Sequence, residues 1–437
     1  MSRPAALRAA GRLALLLMAA APVAAQVQVF AGARVLPVTA PPIERGVLVV
    51  EDGRIVAVGA EGEVEIPAGA VVRRLAGRTI VPGLVDSHSH VADVSGGDGS
   101  EPLQPAVRAL DGVDFRADTI GKARAGGITT VNVMPGSGLR LAGQTVYLKL
   151  RASGSRVEDW LLCPRAGICG GMKMANGTNS LRDRGEFPRT RGRSAALARG
   201  LFVRALDHRG KRELTAGDPA KAPARDLGLE AVLELLDGRR IVHHHTHRAD
   251  DIETVLRLAE EFGFRVVLHH VSDGWAIADR IAAAPVLGVS INVMDAPGGK
   301  HENAGRRLET PAILARAGVA VAISTDDSVT DSRFLLRSAA LAVRGGLSER
   351  RALEAVTIVP ARMLDLDARI GSLEPGKDAD FAILSGPPFS AWTRVEETWV
   401  EGEQVFDRTG ETGRFQAGGY RVYRERESGL AHLDFCD

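Results

Sequence analysis

The stretch "TIVPGLVDSHSHV", Thr79–Val91, is an apolar run that ends in polar side chains. A short apolar run bounded by Pro and Gly reads as a buried strand. On a strand, residues two apart face the same way. His88 and His90 therefore point together, with Asp86 below them on the same face. Two imidazoles so placed suit a borderline divalent ion such as zinc. Taken alone, the pair is a weak signal. Its meaning depends on where the other histidines fall.

The chain has 11 histidines, and eight lie in three places. The second place is "RRIVHHHTHRADD", Arg239–Asp251. There His243, His245 and His247 share one face of a strand and its end, and His244 lies on the other. The third is "FRVVLHH", Phe264–His270. His269 and His270 alternate, so only one of them is expected to reach the mouth. The 25 residues from His245 to His270 hold about one helix and one strand, which puts the two on adjacent strands. A fourth strand end, in "VAVAISTDDSVTDS", offers Asp326 and Asp327. Asp327 also reads as a helix cap. A carboxylate at Asp326 can ligate a metal, take a proton from water and return it to a leaving group. His208, His301 and His432 read as ordinary polar residues.

From about Leu84 to Leu366, short apolar runs alternate with helical patterns. One helix begins near Asp250 and puts Ile252, Val255, Leu256, Ala259 and Phe262 on one face, ending at Gly263. Another is expected around Ser194–Leu206, inside an Arg-rich stretch with a long surface loop. Strand–helix alternation with chemistry at the strand ends points to a (β/α)8 TIM-like barrel. Both flanks are β-rich. The "EDGR" turn at Glu51–Arg54 and the later "VEGEQ" turn mark hairpins. The expected architecture is α/β. Residues 26–80 and 369–437 build one composite β-sandwich around a barrel at 81–368.

The 437 residues are 45% hydrophobic and 25% charged, an ordinary globular composition. Arg3, Arg8 and Arg12 precede a short apolar run, Leu13–Ala21. Val23 and Ala25 then fit a signal-peptidase site before Gln26. Residues 1–25 are thus expected to be a signal peptide that sends the protein to the periplasm or outside the cell. Losing those three arginines takes the formal charge from +1 to −2. Such a balance excludes a polybasic partner surface, so neither nucleic acid nor membrane is expected. A small-molecule substrate and a homo-oligomer are. Cys163, Cys169 and Cys436 are odd in number. Cys163 and Cys169 either pair or are buried thiols.

With these residues in view, the chain resembles the metal-dependent amidohydrolase superfamily. The nearest likeness is to its imidazolonepropionase-like branch, which includes secreted Xaa-Pro-type dipeptidases. "VPGLVDSHSHV" resembles the family's first-strand motif, and "GSLEPGKDADFAIL" its exit from the barrel. "HTHRADDI", "LHHVSDG" and "AISTDDSVTDSRFLLR" resemble its fifth, sixth and eighth strand ends. The resemblance implies metal ligands at His88, His90, His245, His270 and Asp326, with Asp326 also the catalytic proton shuttle. It leaves His269 facing the helix layer. It implies one or two divalent ions, zinc, and a bridging ligand. In "GICGGMKMANG", Lys173 resembles the lysine that some members carboxylate for this purpose. The alternatives are a surface or a substrate-contacting lysine.

One departure is informative. Mononuclear deaminases of the superfamily carry a glutamate three residues after the fifth-strand histidine, where this chain has Arg248. That counts against a deaminase and against imidazolonepropionase activity itself. His247 or Arg248 is expected to bind a substrate carboxylate instead. The implied reaction is hydrolysis of a C–N bond in a small amide or dipeptide by metal-activated water. The other readings are a lactonase or esterase-type hydrolase on the same site, and a degenerate, non-catalytic barrel.

Overall fold

The computed structural model of the protein describes residues 26–94, 96–218, 220–293 and 300–418. The expected signal peptide, His432 and Cys436 lie outside them. Five strands come from the N-terminal side: β1 (Gln28–Val35), β2 (Ile43–Glu51), β3 (Arg54–Ala60), β4 (Val71–Arg74) and β5 (Thr79–Pro82). The "EDGR" hairpin forms as read. Asp52 and Gly53 both take positive φ (49° and 73°), the conformation a tight two-residue hairpin needs.

The central strands follow: β6 (Leu84–Ser89), β7 (Ile128–Val133), β8 (Leu141–Gln144), β9 (Val146–Lys149), β10 (Met172–Ala175), β11 (Val242–Thr246), β12 (Val266–His270), β13 (Val286–Ile291) and β14 (Val321–Ile323). β10 to β14 pair in parallel, each with the next, and β6 pairs in parallel with β7. The third position departs from simple alternation. No helix separates β7 from β8, and β8 and β9 run as one extended segment broken at Thr145. β9 pairs antiparallel with β7, and β8 pairs antiparallel with β10. At the other seam, β14 and β6 are bridged through the segment at Ala355–Val356. Val85 donates its N–H to Val356 and Ile323 donates to Ala355, at 2.9 and 2.8 Å. The strand ends bearing histidine thus converge on one face.

Three C-terminal strands, β15 (Phe381–Leu384), β16 (Val395–Val400) and β17 (Glu403–Asp407), return to the N-terminal ones. β15 lies antiparallel on β5, so both flanks make one eight-stranded sheet in the order β17-β16-β15-β5-β1-β2-β3, with β4 on β1. Residues 79–82 thus serve the terminal sheet, and the central strands start at Leu84. β1 has register shifts between Ala31 and Val35; its first half pairs with β4 and its second with β5. Phe30, Leu48, Ile55, Phe381 and Trp399 pack together against this sheet.

The helix expected near Asp250 spans Ala249–Phe262 and stops at Gly263, whose φ of 73° is the left-handed cap that glycine favours. The helix expected at Ser194–Leu206 is longer, Arg191–Leu214. Several of its arginines pair with acids: Arg191 with Asp251 and Glu302, Arg199 with Glu261, Arg209 with Asp237. Cys163 and Cys169 are joined in a disulfide. Among the described residues, no helix is long and apolar enough to cross a membrane.

Candidate metal centre

At the end of β6, His88 is fully buried and His90 half-buried. The Asp326 carboxylate lies between them, its Oδ1 3.2 Å from His88 Nε2 and 2.9 Å from His90 Nε2. Asp326 follows β14 with a left-handed φ of 53°, and its N–H donates to His88 O at 2.9 Å. Asp86 fixes this junction from below. It accepts from His88 N at 3.3 Å, from Thr325 N at 3.1 Å, and from the Thr325 hydroxyl. Burial pushes the Asp86 carboxyl up to about 7, against those hydrogen bonds. For Asp326, burial acts to raise the pKa. The His90 hydrogen bond, together with the pull of the nearby His270, His90 and Lys173 side chains, outweighs it and holds the carboxyl below its ordinary range.

A second group forms from β11 and β12. The ring nitrogens of His245, His247 and His270 that could ligate an ion lie within 4.8 Å of one another; those of His88 and His90 and an Asp326 oxygen form a like group. The ring orientations are set from behind. His270 Nδ1 lies 2.7 Å from Asn292 Oδ1, His247 Nδ1 2.8 Å from Ser272 Oγ, and His90 Nδ1 2.7 Å from Met134 O. The carbonyl acceptor at His270 calls for an Nδ1–H, which leaves its Nε2 with a lone pair directed inward. Nε2 of His247, Nε2 of His270 and both nitrogens of His245 have no hydrogen-bond partner. An unsatisfied buried polar atom costs about 1–3 kcal/mol, so several in one place point to a missing ligand. Burial keeps His88, His245 and His247 well below the ordinary imidazole range and His270 down to about 3, so the rings are neutral donors. Neutral imidazoles with an ionised carboxylate are the donor set a divalent ion such as zinc takes.

Lys173 belongs to this space. It is fully buried on β10, with Nζ 3.0 Å from His88 Nε2 and 3.2 Å from Met134 Sδ. A surface lysine is therefore ruled out.

Three residues fall elsewhere than the sequence led us to expect. His269 does not face the helix layer. It points inward, Nδ1 3.1 Å from His88 Nδ1 and Nε2 3.0 Å from His243 Nδ1. Adjacent residues both face inward because His270 takes a positive φ of 73°, which breaks strand alternation there. His247, expected to hold substrate, sits in the imidazole group beside His245. Arg248 points away: its guanidinium forms two hydrogen bonds to Asp250 at 3.0 and 2.9 Å, and its side chain is 42% exposed. It stands at the N-terminus of the helix that begins at Ala249, which turns it outward. His244 lies on the outer face as read, against Arg140 at 2.7 Å. Asp327 accepts from Ser332 N and Oγ at 2.8 and 2.6 Å, but the cap of the short helix that begins there is Asp331, which accepts from Arg333 N. Asn292, Ser272 and Asp86 hold the ligand rings or strand ends. Only Asp86 carried a signal in the sequence, through its spacing from His88.

The Amidohydrolase family model matches residues 79–405. The chain belongs to the amidohydrolase family, a class of carbon–nitrogen hydrolases, and within it to the imidazolonepropionase-like branch. It is 34% identical to an amidohydrolase from Thermotoga maritima MSB8, with a TM-score of 0.81 over 87% of this chain and 100% of that one. It is 28% identical to the imidazolonepropionase of Symbiobacterium thermophilum over 79% of this chain and 85% of that protein. It is 25% identical to the amidohydrolase tasK of Hapsidospora irregularis over 84% of this chain, but spans only 39% of that protein's length.

Proposed function

We propose that this protein is an exported metal-dependent amidohydrolase that cleaves a small amide or dipeptide. The observation that carries the reading is the set of buried, unpartnered imidazole nitrogens on His245, His247 and His270 beside the His88–His90–Asp326 group. We read the central strands, from Leu84 onward, as a barrel whose third position is the reversed β8–β9 segment. We read the terminal sheet, its strands within residues 28–82 and 381–407, as folded over into a sandwich. Residues 1–25 direct export to the periplasm or beyond.

His88, His90 and Asp326 would hold one ion and His245, His247 and His270 a second, and Lys173, if carboxylated on Nζ, would supply a further ligand beside His88. Bound there, zinc would acidify a water and polarise the scissile carbonyl. Asp326, held by His90, takes a proton from the attacking water and returns it to the departing nitrogen. Asp86 and Asn292 keep the donors in place, and the apolar shell around β10–β12 excludes bulk water.

The test is a substrate panel on the zinc-loaded full chain: N-acetyl amino acids and dipeptides against simple lactones and phosphotriesters. Turnover of the C–N substrates in preference is the expected result. Preferred turnover of lactones or phosphotriesters would replace the amidase reading with another hydrolase on the same ligands. Turnover of none by fully loaded protein would overturn the enzymatic reading.

A further inference from the structure

Beside the second imidazole group lies a small cavity, lined by His270, Ser272, Asn292, Val293, Arg306 and Thr310 among others. Arg306 is half-buried, yet its Nη1 is wholly enclosed and has no hydrogen-bond partner; nor has the Thr310 hydroxyl on the same cavity. The nearby acids are already engaged. Glu302 takes Arg191 at 2.6 Å and the Thr178 N–H and hydroxyl at 2.8 Å each. Asp327 accepts from Ser332 N and Oγ, and Asp326 is held between His88 and His90. An enclosed Nη1 without a hydrogen-bond acceptor carries a desolvation cost. Its charge is felt at both His247 and Asp326, so it borders the reacting centre without belonging to the ligand groups.

We infer that Arg306 is the residue that binds the substrate's free carboxylate, and that this protein selects amides carrying an anionic group beyond the scissile bond. A planar guanidinium, here with Nη1 turned to the cavity, matches a carboxylate by two parallel hydrogen bonds. Thr310 supplies a further hydroxyl within the cavity. The role expected of Arg248 thus passes to Arg306. The inference deepens the hydrolase reading and rests on it for the position of the scissile bond.

The test compares N-acetyl-L-alanine with the neutral N-acetyl-L-alaninamide on zinc-loaded wild type, Arg306→Met and Arg306→Lys. Kd is read by thermal-shift titration, and kcat/KM is measured alongside. Wild type should bind the carboxylate more tightly by about 10- to 100-fold, the scale of hydrogen bonds to a charged group. Arg306→Met should lose that preference and keep its Kd for the carboxamide. Arg306→Lys, which keeps charge but not the fork, should fall between. Ligand-free melting temperatures check that each variant is folded, and a variant that is not is replaced by Arg306→Gln. No preference in wild type, or equal weakening toward both ligands in the variants, overturns the inference. A preference lost with Arg306 in a protein that hydrolyses no amide would overturn the hydrolase reading and leave this one standing.

Discussion

Replacing Asp326 by Asn should lower kcat by about 10²- to 10⁴-fold, the range that positioned proton transfer supplies. Asparagine keeps the side chain's volume and one carbonyl oxygen, so contacts to His88 and His90 can persist. It cannot accept a proton. The wild-type carboxylate is suited to that work because His90 hydrogen-bonds it at 2.9 Å and so favours its ionised form. The measurement is kcat on the best amide of the panel, with metal content determined in the same preparation. A variant that retains its metal and stays within a few-fold of wild type would remove Asp326 from the proton-transfer role.

Replacing Lys149 by Ala should destabilise the fold by about 3–5 kcal/mol, the cost of removing one partner from a buried ion pair. Lys149 lies at the end of β9 and is fully buried. Its ammonium contacts Asp378, and lies 3.0 Å from Asp380 and 3.2 Å from Glu401. Those acids flank β15 and form the β16–β17 turn, so one side chain joins the central strands to the terminal sheet. Arg54 and Arg369 also reach Asp378, at 2.6 and 2.7 Å, and Arg151 holds Glu401 at 2.7 Å. Among the described residues, Asp380 forms its ion pair with Lys149 alone. Its carboxyl is already raised by burial, against the pull of Lys149. Without the lysine it rises further above its unfolded value. Stability lost in the variant should therefore be smallest below the unfolded carboxylate pKa and grow as pH rises through the folded one. Urea unfolding at pH 5 and pH 8 measures both effects. A loss below about 1 kcal/mol at both would show that the arginines already balance the cluster.

Much of this site could be read from residue spacing because its chemistry sits where strands end. His88 and His90 share a face by strand alternation, and His245 and His247 do so by the same rule. The second pair was divided between metal and substrate although its spacing treats both alike. Side-chain alternation failed at His269 because a left-handed residue follows it, and a histidine in that conformation leaves no mark in sequence. The reversed strand at Leu141–Lys149 was hidden for a different reason: an apolar run states that a strand forms, not its direction. Arg248 misled because a local ion pair with Asp250 holds it away from the mouth, while Arg306 arrived from a loop with no periodic pattern.

The central claim is that the two ligand groups hold metal, with Lys173 as a further ligand. The direct measurement is elemental analysis of metal per chain, on protein purified without chelator, for wild type, Lys173→Ala and His247→Ala. The account predicts about two ions in wild type and fewer in both variants. A wild-type chain with no bound metal, even after refolding with zinc, would contradict it.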